Sequence, residues 1–467
     1  MHTQMRTAVS RVVGRALGLA ALAALAACGG GGGGDRGIPK ERGAIVLPFA
    51  VGQATKAQID AGTQASGAQA LTGLARCDVD VRHIQYSTVA PTGTPGQEKH
   101  ATATTAVFVP TGGAGCTGAR PVLLYTHGTR TMQAYNMADV RPVDENNKPI
   151  TTNTEARLVM AMFAAQGFIV VAPNYLGYDQ STLDWHPYVN GEAQAKDVVD
   201  ALRAATTYLN TGSGATKPSG KLVVTGYSQG GYVAMAAHKI IERDYPNEFG
   251  LVASVPMSGP YNLVGFTDVV MNVQVNVGAT QFTPLVITSY QRSYGDIYGA
   301  PVEVYQPPYD QTAPGLFPGN LTDAQLLEQN KLPNDPTFRA MFGAGGLVQD
   351  SFRAGYATSK FRARLAENTL IDWTPRARMA LCGGAQDPIV FWGPNTPVAQ
   401  GQFASRGAQV PAFNLENRAT LPAGAMGDQL YGGFQQKKTA ATYHSDVAPF
   451  CMVIGRSFFQ QVLAAAP

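Results

Sequence analysis

Short, nearly continuous apolar runs alternate with amphipathic stretches over most of this chain. "DVDVRHIQYSTV" alternates polar and apolar positions, and "TATTAVFVP" follows it after the Pro/Gly-rich turn "PTGTPGQ". Alternation broken by such a turn predicts a β-hairpin. The runs "PVLLYTHGT", "GFIVVAPNYLGY", "KLVVTGYSQG" and "LVASVPMSG" are apolar almost throughout and end in turns. That pattern predicts strands covered on both faces. Between them, Ala195, Val198, Val199, Leu202 and Leu209 share one helical face, and so do Val233, Ala236, Ala237, Ile240 and Ile241. Strands of this kind interleaved with amphipathic helices predict an α/β architecture: a mostly parallel sheet with helices on both faces.

The rhythm stops near Pro260. About 110 residues rich in Tyr, Pro, Asn and Gly follow, with helices expected at "TDAQLLEQN", where Thr322 and Gln325 form a capping box, and near "TSKFRARLAEN". It resumes at "RARMALCGGAQDPIV". A helix is expected from Thr396 as N-cap with Pro397 first, then a strand at "VPAFNLEN" and a closing helix at "SDVAPFCMVIGRSFFQQVLA". The organisation predicted is a signal peptide at 1–27, a tether and irregular segment at 28–76, a first core part at 77–260, an insertion at 261–370 and a second core part at 371–467.

The first segment sets the compartment. Arg6, Arg11 and Arg15 precede the apolar run "ALGLAALAALAA", which at twelve residues is too short to span a bilayer and fits a signal peptide. "LAAC" resembles a bacterial lipobox, which implies lipidation of Cys28 and, because Gly29 is not Asp, an outer-membrane anchor; the alternative is ordinary cleavage and secretion. Gly29 to Gly34 read as a flexible tether. Without the three leader arginines the net charge of +3 falls to zero, and no Lys/Arg cluster appears, so nucleic acid is not an expected partner. Setting Cys28 aside, Cys77, Cys116, Cys382 and Cys451 remain, an even number that suggests two disulfides with three possible connectivities. No Cys-x-x-Cys pair points to a metal.

Gly226-Tyr227-Ser228-Gln229-Gly230 places a serine between glycines, with a strand before it and a helix after. A sharp strand-to-helix turn exposes a hydroxyl at the top of a sheet, and glycines let neighbouring backbone approach it. The hydroxyl needs a base. Only His444 lies C-terminal to both Ser228 and the candidate acid Asp387, which follows an apolar run in "MALCGGAQDPIV". The order Ser228, Asp387, His444 is that of α/β-hydrolase triads. Asp446 is a weaker candidate acid, expected to cap the final helix. Oxyanion donors are expected from the N–H of Gln229 and, after "VLLY", that of Thr129, with His127 structural. Tyr175 and Tyr178 either line the cleft or pack at a strand end.

"YTHGT", "APNYLGYDQS", "GYSQGGYVAMAAHK", "SGPYNL" and "LIDWTPRARMALCGGAQDPIV" together resemble the α/β-hydrolases, most of all the secretory lipase group typified by type A lipase of Candida yeasts, over roughly residues 77 to 465. The resemblance implies ester hydrolysis without metal or cofactor, and makes the 261–370 insertion a cap, placed between the sixth strand and the strand carrying the acid, that binds an apolar acyl or polymer chain. The long stretch from Asp387 to His444 departs from that group. In such a fold the loops bearing acid and base converge, which predicts Cys382–Cys451, leaving Cys77–Cys116 across the hairpin. Two other readings remain open. One is a prolyl-type aminopeptidase, for which Asp296, Glu303 or Asp310 would bind the substrate amine. The other is a non-catalytic surface-binding lipoprotein.

Overall fold

The computed structural model describes residues 37–140 and 153–465. The leader, Cys28 and the glycine run lie outside the described residues. Ten strands form one sheet: β1 (Ile45–Ala54), β2 (Asp78–Pro91), β3 (Glu98–Thr111), β4 (Gly118–Thr126), β5 (Ile169–Pro173), β6 (Thr216–Tyr227), β7 (Leu251–Met257), β8 (Arg378–Met379), β9 (Leu381–Gly383) and β10 (Ala412–Asn414), in the order β1-β2-β3-β5-β4-β6-β7-β9-β10 with β8 beside β7. The first three strands and the β3–β5 contact are antiparallel. From β5 onward every pairing is parallel. This is an α/β-hydrolase fold.

Strands in the parallel part bury both faces, which is why they read as continuous apolar runs. In β4, Val122 and Leu124 belong to the core on one face while Leu123 and Tyr125 belong to the core on the other. Helices Gly191–Thr211 and Gln229–Asp244 cover the first face, and helices Thr154–Met162 and Tyr443–Ala465 cover the second. Between β7 and β8 the chain carries helices Leu263–Asn272, Ala279–Tyr294, Asp323–Glu328, Asp350–Gly355 and Lys360–Glu367.

Three expectations are corrected. Residues 45–72, read as irregular, form β1 and helices Lys56–Ala65 and Gln69–Thr72. Strand β1 is an edge, pairing only with β2, so it buries little and can carry Pro48 and Gly52, which hid it. With β1 counted, the excursion follows the seventh strand rather than the sixth. The helix expected from Thr396 runs Trp392–Ser405 instead. Pro394 sits in its first turn, where a missing N–H costs no helix bond, and Pro397 lies inside it.

Cys77 is bonded to Cys116 and Cys382 to Cys451, with Cα atoms 5.6 Å and 5.7 Å apart. The second bond ties β9 to the last helix. At the C-terminal edge of the sheet, Thr126 faces Gly226, Tyr227 faces Met257, and Met257 faces Cys382 in successive strands. The loops that follow these residues therefore emerge side by side. Strand β4 has β5 on one side and β6 on the other, so its end is a switch point of the kind where α/β folds bind ligands.

Candidate active site

Ser228 occupies the turn between β6 and helix Gln229–Asp244 with φ 60° and ψ −123°, a conformation that side chains rarely adopt. Packing over-determines it. The Ser228 N–H donates to Met257 O at 2.9 Å, and Thr126 Oγ1 donates to Gly230 O at 2.7 Å. A Cβ at Gly226 would overlap Thr126 and Gly230, and one at Gly230 would overlap the carbonyls of Thr126 and His127. The glycines are there because strand and helix come this close. The N-terminus of the helix after Ser228 adds partial positive charge at the hydroxyl.

His444 Nδ1 lies 2.6 Å from Asp387 Oδ2. The other carboxylate oxygen, Asp387 Oδ1, accepts the N–H groups of Ile389 and Val390 at 2.9 and 3.1 Å. His444 Nε2 is buried and, like Ser228 Oγ, has no hydrogen-bond partner among the described residues. Tyr227 OH donates to His444 O, and the two rings are 4.8 Å apart, which fixes the imidazole beside the residue that precedes Ser228. His444 was expected just before the last helix and instead stands in its first turn. Asp446 does not cap that helix. It lies in the same turn and accepts a bond from Thr442 Oγ1 at 2.6 Å.

The N–H groups of Gln229 and Thr129 have no acceptor among the described residues, and both residues line the same cavity as Ser228. The loop carrying Thr129 is held by Glu155, a residue the sequence did not single out. Its carboxylate accepts Gly128 N–H at 3.1 Å, Tyr125 OH at 2.8 Å and Tyr135 OH at 3.2 Å, and pairs with Arg130. Thr129 is thus pinned on both sides by one side chain. Burial opposes ionisation of Glu155, but Arg130 and these donors outweigh it and hold the carboxyl below its usual range. An acid at the start of a helix is common for dipole reasons alone, so nothing in the sequence marked it.

Tyr175 and Tyr178 are buried and do not line the cavity; their hydroxyls donate to the carbonyls of His127 (3.0 Å) and Arg130 (2.5 Å). His186, also unmarked by the sequence, donates from Nδ1 to Leu176 O at 2.8 Å and accepts from Gln229 Nε2 at 2.5 Å, holding the side chain next to the serine. Burial pushes His186 down to about 3, so it stays neutral. Among the described residues, no group of three or more His, Cys, Asp or Glu is placed to hold a metal ion.

The cavity has a volume of about 90 Å³ and opens to solvent. Thr129, Tyr188, Ser228 and Gln229 line it together with Ile389, Val390 and, from the β7–β8 excursion, side chains that include Phe266, Phe282, Phe352 and Phe361. None of these side chains is charged.

A model of the prolyl oligopeptidase family matches residues 154–275, the part that holds Ser228. No curated protein matches this chain. Among solved structures, the rice cell wall degrading esterase LipA from Xanthomonas oryzae is 27% identical, over 90% of this chain and 99% of that one, with a TM-score of 0.73. Lipase A of Candida antarctica shares the fold at 15% identity, over 84% of this chain and 83% of that one, with a TM-score of 0.54. With the parallel sheet and the serine elbow, these likenesses place the chain in the α/β-hydrolase superfamily as a serine hydrolase.

Proposed function

We propose that this chain hydrolyses carboxylic esters with an apolar acyl or polymer-chain portion, through an acyl-enzyme on Ser228. His444 Nε2 takes the hydroxyl proton as Oγ attacks the ester carbonyl. The N–H groups of Gln229 and Thr129 stabilise the oxyanion. The imidazolium then protonates the leaving alcohol, and water, activated by the same imidazole, releases the acid. Asp387 fixes the tautomer with Nδ1–H and stabilises the imidazolium. The observation that carries this reading is the Asp387–His444 pair at 2.6 Å, with the imidazole's other nitrogen unpartnered at the sheet edge that carries the serine elbow. The likeness to an esterase supports the ester class.

A second reading, a serine peptidase, draws on the prolyl oligopeptidase match. Its amine site is missing where it was sought. Asp296 is paired with Arg364 at 2.7 Å, Glu303 accepts the N–H groups of Gly299 and Ala300, and Asp310 accepts from Gln311; none lines the cavity. A panel of p-nitrophenyl esters of rising acyl length beside aminoacyl-proline anilides separates the two. Ester turnover with inert anilides is expected. Anilide cleavage without ester turnover would reverse the assignment.

The two disulfides fit an exported protein. Anchoring at the outer membrane through lipidated Cys28 is part of the same proposal.

A further inference from the structure

The 56 residues between Asp387 and His444 include helix Ala425–Lys437 and end on Tyr443. We propose that this excursion is a brace for the acid–base pair, with Tyr443 and Glu416 as its positioning residues. The proposal rests on the reading of Asp387 as acid and His444 as base.

Asp387 is presented by the turn that starts at Gly384. Two N–H groups of that turn are held from the excursion side. Ala385 N–H donates to Asn414 Oδ1 and Gln386 N–H to Tyr443 OH, both at 3.1 Å. Tyr443 OH in turn donates to Glu416 Oε1 at 2.8 Å. One phenol therefore bonds the residue before the acid while standing next to the base in sequence. Lys438 Nζ donates to both oxygens of Glu416 at 2.7 and 2.6 Å, and Gln435 Nε2 donates to Oε2 at 3.1 Å. Lys438, Glu416, Tyr443 and the Gln386 amide thus form a connected chain in which each donor faces an acceptor, an arrangement whose members strengthen one another.

The phenol cannot swing away. Its ring meets Phe434 edge-on at 5.4 Å, and Phe434 meets Phe450 at 5.6 Å, which locks helix Ala425–Lys437 to the last helix. On the other side a Cβ at Gly384 would overlap the hydroxyl, so a side chain there would push the phenol away. The protonation states suit these roles. Burial works against ionisation of Glu416, but Lys438, Tyr443 and Gln435 outweigh it and keep the acceptor charged. Burial, with the nearby carboxylates, pushes Tyr443 up, so it remains a donor. The amides of Ile389 and Val390 orient the Asp387 carboxylate from behind; the brace holds the turn in front.

Tyr443→Phe keeps the ring packing and removes the bridge. The test is steady-state kinetics of Tyr443→Phe and Glu416→Gln against pH, with Tyr431→Phe in helix Ala425–Lys437 as a control and Asp387→Asn as a reference. Both brace variants should lose about tenfold in kcat with KM little changed, since misplacement by a fraction of an ångström suffices for that loss. The acidic limb of kcat/KM should move to lower pH, because a displaced carboxylate stabilises the imidazolium less. The control should behave as wild type. Folded variants with unchanged kcat and unchanged limb, beside an inactive Asp387→Asn, would overturn the brace and leave the pair intact. An active Asp387→Asn would instead overturn the reading beneath it. Should Tyr443→Phe fail to fold, Glu416→Gln carries the same readout.

Discussion

His444 Nδ1 stands 2.6 Å from Asp387 Oδ2, and its Nε2 is buried with no partner among the described residues. Leaving a buried nitrogen unsatisfied costs stability, so such a group calls for an explanation, of which a catalytic role is one. In this account Nε2 is left unpaired for the Ser228 proton and the leaving alcohol. Replacing Asp387 by Asn keeps the size but presents Nδ1 with an amide and favours the wrong tautomer. The expected result is a fall in kcat of about 10⁴-fold with the fold retained. Kinetics beside a thermal melt check it; a fall below tenfold would remove Asp387 from the mechanism.

Glu155 holds the loop proposed to supply the second oxyanion donor, Thr129 N–H, and acts on catalysis only through that loop. Glu155→Gln keeps the shape but leaves Arg130 without its carboxylate and weakens the acceptor at Gly128 N–H. Thr129 N–H should drift, and kcat should fall by up to about 100-fold with KM nearly constant. A variant with wild-type kcat would show that the loop holds its place without this side chain.

The neutral, buried His186 makes stability depend on pH. Its pKa is lowered from 6.5 to about 3 by burial. Below pH 6.5 the unfolded chain binds a proton that the folded chain refuses. The stability from this site is therefore complete above pH 6.5 and is lost progressively as pH falls toward 3. Urea midpoints should decline across that window, and less steeply in His186→Asn, whose amide can still donate to Leu176 O. An equal slope in both proteins would contradict the assignment.

Much of the candidate site is legible because its proposed chemistry is local. The glycines around Ser228 and the chain order of Asp387 and His444 are written in short stretches. The supporting groups were not, for a physical reason. Glu155, His186, Glu416 and Tyr443 act through hydrogen bonds to residues far away in sequence, and each alone looks like an ordinary polar residue at a helix end or in a loop. Strand β1 was missed for a related reason, since an edge strand with Pro48 and Gly52 shows little of the apolar periodicity that marks the central strands.

Lipidation at Cys28 predicts that the exported protein fractionates with outer membranes and that Cys28→Ser becomes soluble. Differential centrifugation with detergent release reads this directly. Wild-type protein found soluble after export would rule the anchor out.

The central claim is a covalent acyl-enzyme on Ser228. Rapid acid quench during turnover of an activated ester, followed by intact-mass measurement and peptide mapping, tests it most directly. The account predicts one acyl group per chain, located on the peptide containing Gly226-Tyr227-Ser228-Gln229-Gly230 and absent in Ser228→Ala. Continued hydrolysis with the adduct on another residue, or undiminished turnover by Ser228→Ala, would contradict it.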